Sequence, residues 1–418
     1  MLKKIRIKDE LFAFDSETFD FFEVTEKDEI TEKGESIGND NEEEKKSDVF
    51  NDSGLNRLTL NMSNMCNLNC KYCYANGGNY NRPNKIMSRE SFNNILNDLK
   101  NRNIKKIREV KFFGGEPTIN NNLIVEALEI LSKDYDVDKY MIVTNGTLLT
   151  KDFITECLKY NCYFAISLDG PEDINDFLRG KETFNTVINN LNSLFDDTFK
   201  KRVELLCTFT PYHLKNGYSK ETLSNFFKEL GFKYTITKVG SDKVDFKFIE
   251  QNSTVDVFND IDKSLNCILK NTDDKNINSY VYEFMLAIAY GQKALKFCDE
   301  LIEDFNLSYD YNGDPYICYR FWGKNEYNLN NKGYRSSYDK INNKNNKLKC
   351  KSCWAKNICI LCPANVLEGA IDKELGVYDC NCKKEIYYEY ILKNFIGLII
   401  DGKSDILIQN FESFVKVV

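Results

Sequence analysis

The spacing of apolar positions divides the chain into stretches of different character. Near the start, Ile5, Ile7, Leu11 and Ala13, and later Phe19, Phe21, Phe22 and Val24, keep a partial period of two. That period is the mark of half-buried strands, so residues 5–24 predict a short β-hairpin turning at Asp15-Ser16-Glu17. Short apolar runs then recur at 58–62, 110–113, 140–143, 164–168, 203–208 and 234–239. Between them, apolar residues fall three and four apart, as at 92–99, 123–131, 153–160, 187–195 and 223–230, which predicts amphipathic helices. Six strands alternating with helices predict an α/β fold, a parallel sheet or partial barrel, because parallel neighbours need a crossover segment between them.

The remaining stretches read differently. Residues 25–54 carry eleven acidic groups and few apolar ones, a solvated linker. Helices are predicted at 255–269 and 280–290, and closing helices at 386–395 and 404–417. Between these, residues 298–382 have few periodic apolar positions, a hairpin-like Tyr311-Asn312-Gly313-Asp314 and an Asn/Lys-rich loop at 325–349. The expected organisation is an N-terminal arm and linker at 1–55, an α/β body at 56–250, a helical bridge at 251–297, a Cys-rich segment at 298–385 and C-terminal helices at 386–418.

Composition narrows the chemistry. The 418 residues are 42% hydrophobic and 29% charged, with a formal net charge of −8, which argues against a nucleic-acid partner. No apolar run approaches the ~18 residues of a membrane span. The first residues lack the apolar core of a signal peptide, so a cytoplasmic protein is expected. Fifteen Cys are too few for a disulfide scaffold and odd in number, and in a reducing compartment clustered Cys point to metal or catalysis. A single histidine, His213, removes most His-dependent metal and triad designs. Any metal is therefore held mainly by thiolates, which select zinc or iron–sulfur clusters.

Cys66, Cys70 and Cys73 follow the first strand of the body. Three thiolates within eight residues can surround one centre and leave a fourth position open. On spacing alone, zinc with a distant fourth ligand is the lesser alternative. Three other strand ends carry polar or glycine-rich motifs: Gly114-Gly115-Glu116-Pro117, Thr144-Asn145-Gly146 and Ser167-Leu168-Asp169-Gly170-Pro171. In parallel α/β folds such motifs gather at the carboxyl end of the sheet, where sites form. Paired glycines admit close backbone approach, and Glu116 can pair with an ammonium group.

Further on come Cys298 and Cys318, then Cys350-x2-Cys353-x5-Cys359-x2-Cys362, then Cys380 and Cys382. This density is a metal signal, with zinc-ribbon and iron–sulfur readings both open from spacing. The other four, Cys157, Cys162, Cys207 and Cys267, read as small buried hydrophobes.

Residues 58–240 resemble the radical S-adenosylmethionine (SAM) superfamily, through the Cys-x3-Cys-x2-Cys triplet with an aromatic before its last Cys and through Gly-Gly-Glu-Pro. The resemblance implies a partial (β/α)6 TIM-like barrel followed by a small Cys-rich α+β domain of the SPASM type. It implies a [4Fe–4S] cluster on Cys66, Cys70 and Cys73, chelated by the amino and carboxylate groups of SAM. Gly114, Gly115 and Glu116 are expected to hold the methionine amine and Tyr72 to lie near the adenine. Ser167 and Arg179 are expected at the ribose and carboxylate, with Thr144 and Asn145 completing the cofactor site.

The SPASM resemblance implies two auxiliary [4Fe–4S] clusters, three clusters in all. Cys350, Cys353 and Cys359 would hold one, with Cys380 or Cys382 as its fourth ligand. Cys298, Cys318 and Cys362 would hold the other. Sulfatase maturases of this type usually carry a Cys where Asp304 stands and an aspartate where Tyr319 stands, so the resemblance favours a different reaction and leaves an iron open to a substrate thiolate. The expected activity is a maturase that makes a 5′-deoxyadenosyl radical and crosslinks a Cys-rich precursor peptide through a thioether, with an electron donor such as flavodoxin or ferredoxin. Carbon–carbon crosslinking, sulfatase maturation and a non-catalytic metal-binding module are the alternatives. Residues 1–24 weakly resemble the start of a leader-peptide-binding domain.

Overall fold

The structure, a computed structural model, describes residues 1–7, 9–25, 54–196, 198–239, 250–272, 277–298, 306–346, 348–364 and 384–417. Most of the linker at 25–54, Asp304, Cys380 and Cys382 lie outside the described residues. The chain divides into two compact units, one within Lys46–Phe248 and Glu300–Arg335, the other within Met1–Lys45, Ile249–Asp299 and Ser336–Val418.

The N-terminal strands belong to the second of these units. They form an antiparallel sheet of β1 (Leu2–Ile7), β2 (Glu10–Asp15) and β3 (Phe21–Val24). Asp15-Ser16-Glu17 opens the connection from β2 to β3, as expected, but a second turn separates β1 from β2. The alternation of Ile5, Ile7, Leu11 and Ala13 runs on through that turn, so pattern alone does not reveal it.

The first unit is an open eight-stranded sheet. All six strands of the expected body are present: β4 (Gly54–Ser63), β5 (Lys106–Gly114), β6 (Asp136–Thr144), β7 (Cys162–Ser167), β8 (Val203–Phe209) and β9 (Lys233–Lys238). Each pairs in parallel with the next. The intervening helices are α1 (Arg89–Asn101), α2 (Asn121–Asp134), α3 (Lys151–Leu158), α4 (Glu172–Arg179), α5 (Thr183–Leu194), α6 (Pro211–Lys215) and α7 (Lys220–Leu230). This is the α/β partial barrel anticipated from the alternation. Leu58, Leu60, Val110, Phe112, Ile142 and Phe164 are fully buried on one face of the sheet, and the apolar stripes of α1 (Phe92, Ile95, Leu99) and α2 (Ile124, Leu128, Leu131) are fully buried as well. Truncating one of these phenylalanines costs about 3–5 kcal/mol. Ser88 and Thr150 cap α1 and α3 by accepting from the backbone N–H three residues on.

The hairpin expected at 311–314 joins this same sheet. β10 (Asn306–Tyr309) pairs in parallel with β4, and β11 (Pro315–Tyr316) closes the edge antiparallel to β10. The Tyr309 hydroxyl donates to Asp98 of α1 at 2.6 Å. The buried Asp310 accepts from Arg82 at 2.7 Å, and the Arg82 guanidinium lies 4.7 Å from the Tyr311 ring.

In the second unit, α8 (Glu250–Leu269), α9 (Ser279–Tyr290), two short helices α10 (Tyr334–Asn342) and α11 (Leu348–Lys351), then α12 (Lys384–Ile400) and α13 (Ser404–Val417) follow in order. Their core is aromatic: Phe14 of β2 meets Phe284 and Trp354 with ring centroids 6.5 and 6.1 Å apart, and Tyr388 and Phe395 are buried beside them. Among the described residues, no helix is long and apolar enough to cross a membrane.

Candidate active site

The loop after β4 carries Cys66, Cys70 and Cys73, and it lies flush on the end of β5. Gly115 donates to Ser63 O at 2.8 Å and Glu116 to Met65 O at 2.7 Å. A Cβ on Gly115 would stand 2.4 Å from Met65 O, and one on Gly114, whose φ is +140°, 2.3 Å from Ser63 O. Gly78 closes the loop from the other side, where a Cβ would stand 2.5 Å from Gly115 Cα. The paired glycines thus admit the cysteine loop itself, a use the sequence did not reveal.

Glu116 is fully buried and ties three strand ends together. Its Oε1 accepts from Thr118 N–H (3.1 Å), Thr118 Oγ1 (2.6 Å) and Thr144 Oγ1 (2.7 Å), and its Oε2 accepts from Asn145 N–H at 2.7 Å. Burial pushes its carboxyl pKa up, and these donors hold it back. Asn145 in turn reaches the cysteine loop, donating to Asn67 Oδ1 at 2.9 Å and toward Cys66 Sγ at 3.8 Å. Burial drives the Cys66 thiol up to about 11 despite the Leu68 N–H at 3.4 Å, and Glu116 adds to the rise. A bound metal reverses that preference by taking the thiolate.

The other side of the loop rests on Asp169, which is fully buried. Arg179 Nη2 donates to Asp169 Oδ1 at 2.9 Å, Arg179 Nε lies 2.9 Å from Oδ2, and the Tyr72 hydroxyl donates to Oδ2 at 2.7 Å. Tyr72 and Arg179, both expected at the cofactor, therefore meet each other through Asp169. Lys71 N–H donates to Leu178 O, pinning the loop to α4. Burial raises the Cys70 pKa and Arg179 opposes it. Ser167, the last residue of β7, stands two positions before Asp169.

The lone histidine also belongs to this support. Thr210 N–H donates to His213 Nδ1 at 3.0 Å, so Nε2 carries the proton and donates to Asp169 O at 2.7 Å. Burial lowers its pKa, and His213 stays neutral. Asp169, Thr118, Asn67 and His213 were not singled out as site residues from sequence. Asp169 stood in a recognised motif, but only its pairing with Arg179 shows its part.

In the second unit Cys350, Cys353 and Cys359 line one cavity of about 270 Å³. Cys298 is held by Asn342, which accepts from its N–H and donates to its carbonyl, both at 2.8 Å. Leu361 donates to Phe297 O at 3.0 Å, so the residues that follow, Cys298 and Cys362, stand on adjoining segments. Cys318 belongs to the first unit. Cys157, Cys162 and Cys207 are buried as expected of apolar residues. Among the described residues, no three Cys, His, Asp or Glu side chains close into a single-ion site. Thiolates are the donor set that iron–sulfur clusters use, and Cys66, Cys70 and Cys73 supply three of them from one loop.

Residues 60–230 match the family model described as the radical SAM superfamily. The radical SAM cyclopropyl synthase TigE of Paramaledivibacter caminithermalis is 31% identical over 154 residues, which cover 34% of this chain and 33% of that relative. Native anSMEcpe with bound AdoMet and Kp18Cys peptide superposes with a TM-score of 0.62 at 19% identity, covering 84% of this chain and 99% of that one. Streptococcus suis SuiB bound to precursor peptide SuiA gives a TM-score of 0.53 at 17% identity over 79% of this chain and 76% of that one. At such identities the structural likeness concerns the fold. Three curated relatives, TigE among them, are matched over 42%, 33% and 30% of their own lengths.

The sheet, the strand-end triplet and the matched segment together define a radical SAM domain. Residues 60–230 form a domain of the radical SAM superfamily.

Proposed function

We propose that this chain is a radical SAM peptide maturase that acts on a Cys-bearing precursor peptide. The observation that carries the reading is the seating of the Cys66–Cys73 loop on Gly114 and Gly115, with Glu116, Thr144 and Asn145 joined to it. Cys66, Cys70 and Cys73 would hold a [4Fe–4S] cluster with one iron left for SAM. When bound, that cluster and SAM supply a 5′-deoxyadenosyl radical, which removes a hydrogen atom from substrate carbon. The protein's own part is to fix the loop, present the strand-end groups to the methionine moiety and keep water away.

Cys350, Cys353 and Cys359 would hold a second cluster, and Cys298, Cys318 and Cys362 a third. A peptide substrate is favoured by the peptides seen with anSMEcpe and SuiB, whose folds this chain shares. Thioether formation is the bond we propose. The alternative of sulfatase-type oxidation is disfavoured by Tyr319, whose ring stands 5.0 Å from Phe113, the residue before Gly114. A tyrosine hydroxyl is a far weaker base than a carboxylate at neutral pH.

The test is anaerobic reconstitution with iron and sulfide, followed by SAM, a reductant and a short Cys-rich peptide encoded beside the gene. 5′-Deoxyadenosine should accumulate, and the peptide should lose 2 Da, roughly the mass of two hydrogens, per crosslink. Wild-type rates of SAM cleavage in the Cys66→Ala/Cys70→Ala/Cys73→Ala protein would sink the reading.

A further inference from the structure

We propose that lysines around the cavity of Cys350, Cys353 and Cys359 raise the reduction potential of the cluster held there, with Lys344 the principal one. The inference rests on the auxiliary-cluster reading above and adds what the surrounding residues do to it. Four lysines line the cavity with the three cysteines: Lys344, Lys349, Lys356 and Lys384. Among the described residues that line it, Glu385 is the one carboxylate. Such an excess of positive charge is unusual around three thiols in a partly enclosed space, because ammonium groups normally stay in water.

Lys344 is the informative member. It is 1% exposed, and its Nζ donates to the carbonyls of Ala294 and Lys356, the latter at 2.7 Å. Those carbonyls hold the charge at the cavity and stop it from swinging into solvent. Lys384, the first residue of α12, is held in the same way by the Ile360 carbonyl. Burying an ammonium costs several kcal/mol, which an anion nearby offsets. The half-buried Glu283 feels Lys384 and Lys344 while accepting from the Tyr388 hydroxyl and the Ile360 N–H, and so offsets part of their charge.

A cluster bound by thiolates is anionic and becomes one charge more negative on reduction. Ammonium groups fixed beside it favour the reduced state, and low local dielectric strengthens the effect. A purely structural alternative is that Lys344 only staples the segments of Ala294 and Lys356. The two roles separate by experiment, because a staple moves stability and a charge moves potential.

The experiment is a potentiometric titration followed by electron paramagnetic resonance. The reconstituted full chain carries Cys66→Ala, Cys70→Ala, Cys73→Ala and Cys318→Ala, so that this cluster is observed alone. Lys344→Met should lower the midpoint, Lys344→Arg should restore most of it, and Lys349→Met on the exposed rim should lower it less. The rim effect should shrink at high salt, since exposed charges are screened. If Lys344→Met loses the cluster, Lys349→Met and Lys384→Met decide. Midpoints that stay at the parent value in every variant retaining the cluster overturn the proposal. A parent holding no cluster refutes the auxiliary-cluster reading and this proposal with it, and iron analysis distinguishes that failure from an unmoved midpoint.

Discussion

Asp169 and Arg179 form a buried two-pronged ion pair ten residues apart, and the Tyr72 hydroxyl completes it from the cysteine loop. The pair joins the end of β7 to the last turn of α4 and to the loop after β4. Charge is thus spent on holding a loop in place at the mouth of the sheet.

Removing one partner should be costly. Asp169→Asn leaves the guanidinium buried without its counter-charge, and we expect a loss of about 3–5 kcal/mol. Replacing both, as Asp169→Leu with Arg179→Met, should cost less than the sum of the single changes. Anaerobic denaturant titrations of the four proteins check this, and additive losses would show that the two residues act independently.

Gly115→Ala should disturb the cysteine loop, because its Cβ would meet the backbone oxygen of Met65 at 2.4 Å and backbone cannot rotate away. The expected outcome is loss of about four irons per chain, one [4Fe–4S] cluster, on reconstitution. Gly397→Ala is the control. It lies within α12 with nothing within 4 Å of a new Cβ, and should gain up to about 1 kcal/mol from helix propensity.

Glu116→Gln places an amide where four donors converge on a carboxylate. Losing charge-assisted bonds there costs about 1.5–3 kcal/mol, or roughly ten- to a hundredfold in SAM affinity if the strand ends shift. Anaerobic calorimetry with SAM measures it, with iron content expected to hold. An unchanged dissociation constant would confine Glu116 to a structural part.

Glu109 predicts a pH dependence. Burial works against its charge, but Lys111, Lys139 and Arg57 outweigh it and bring the carboxyl down to about 2. A depressed carboxyl stabilises the fold above its unfolded value near 4.5, and that contribution is lost as pH falls from there towards 2. The difference corresponds to at most about 3 kcal/mol. Melting temperatures at pH 5, 4 and 3 (roughly spanning that window) should converge between wild type and Glu109→Gln, and parallel curves would contradict it.

The strands of the barrel were legible because each is a short apolar run bounded by turn residues, and the helices α1, α2, α3, α5 and α7 because their apolar stripes repeat every three to four positions. Helix α4 was not, since two of its four buried positions, Asn175 and Arg179, are polar and leave only Ile174 and Leu178 as an apolar stripe. The triplet and the strand-end motifs could be read directly, because their residue types are confined to a few positions. The support beneath them could not. Whether Asp169 takes Arg179, and whether Glu116 takes Thr144 and Asn145, depends on which strand ends converge, and periodicity carries no such information. The pairing of β10 with β4 is hidden for the same reason, as the two lie some 250 positions apart.

That pairing sets an order of events during synthesis. β4 launches the cysteine loop, yet its outer hydrogen-bonding row is filled only by Asn306–Tyr309. While the ribosome is still making the intervening stretch, β4 is an edge strand, with its donors and acceptors open to any passing chain. Closing so long a span is slow in comparison with local helix formation. The nascent protein thus passes through a stage in which its most chemically valuable segment is also its stickiest, and a chain cut short before Asn306 would remain there.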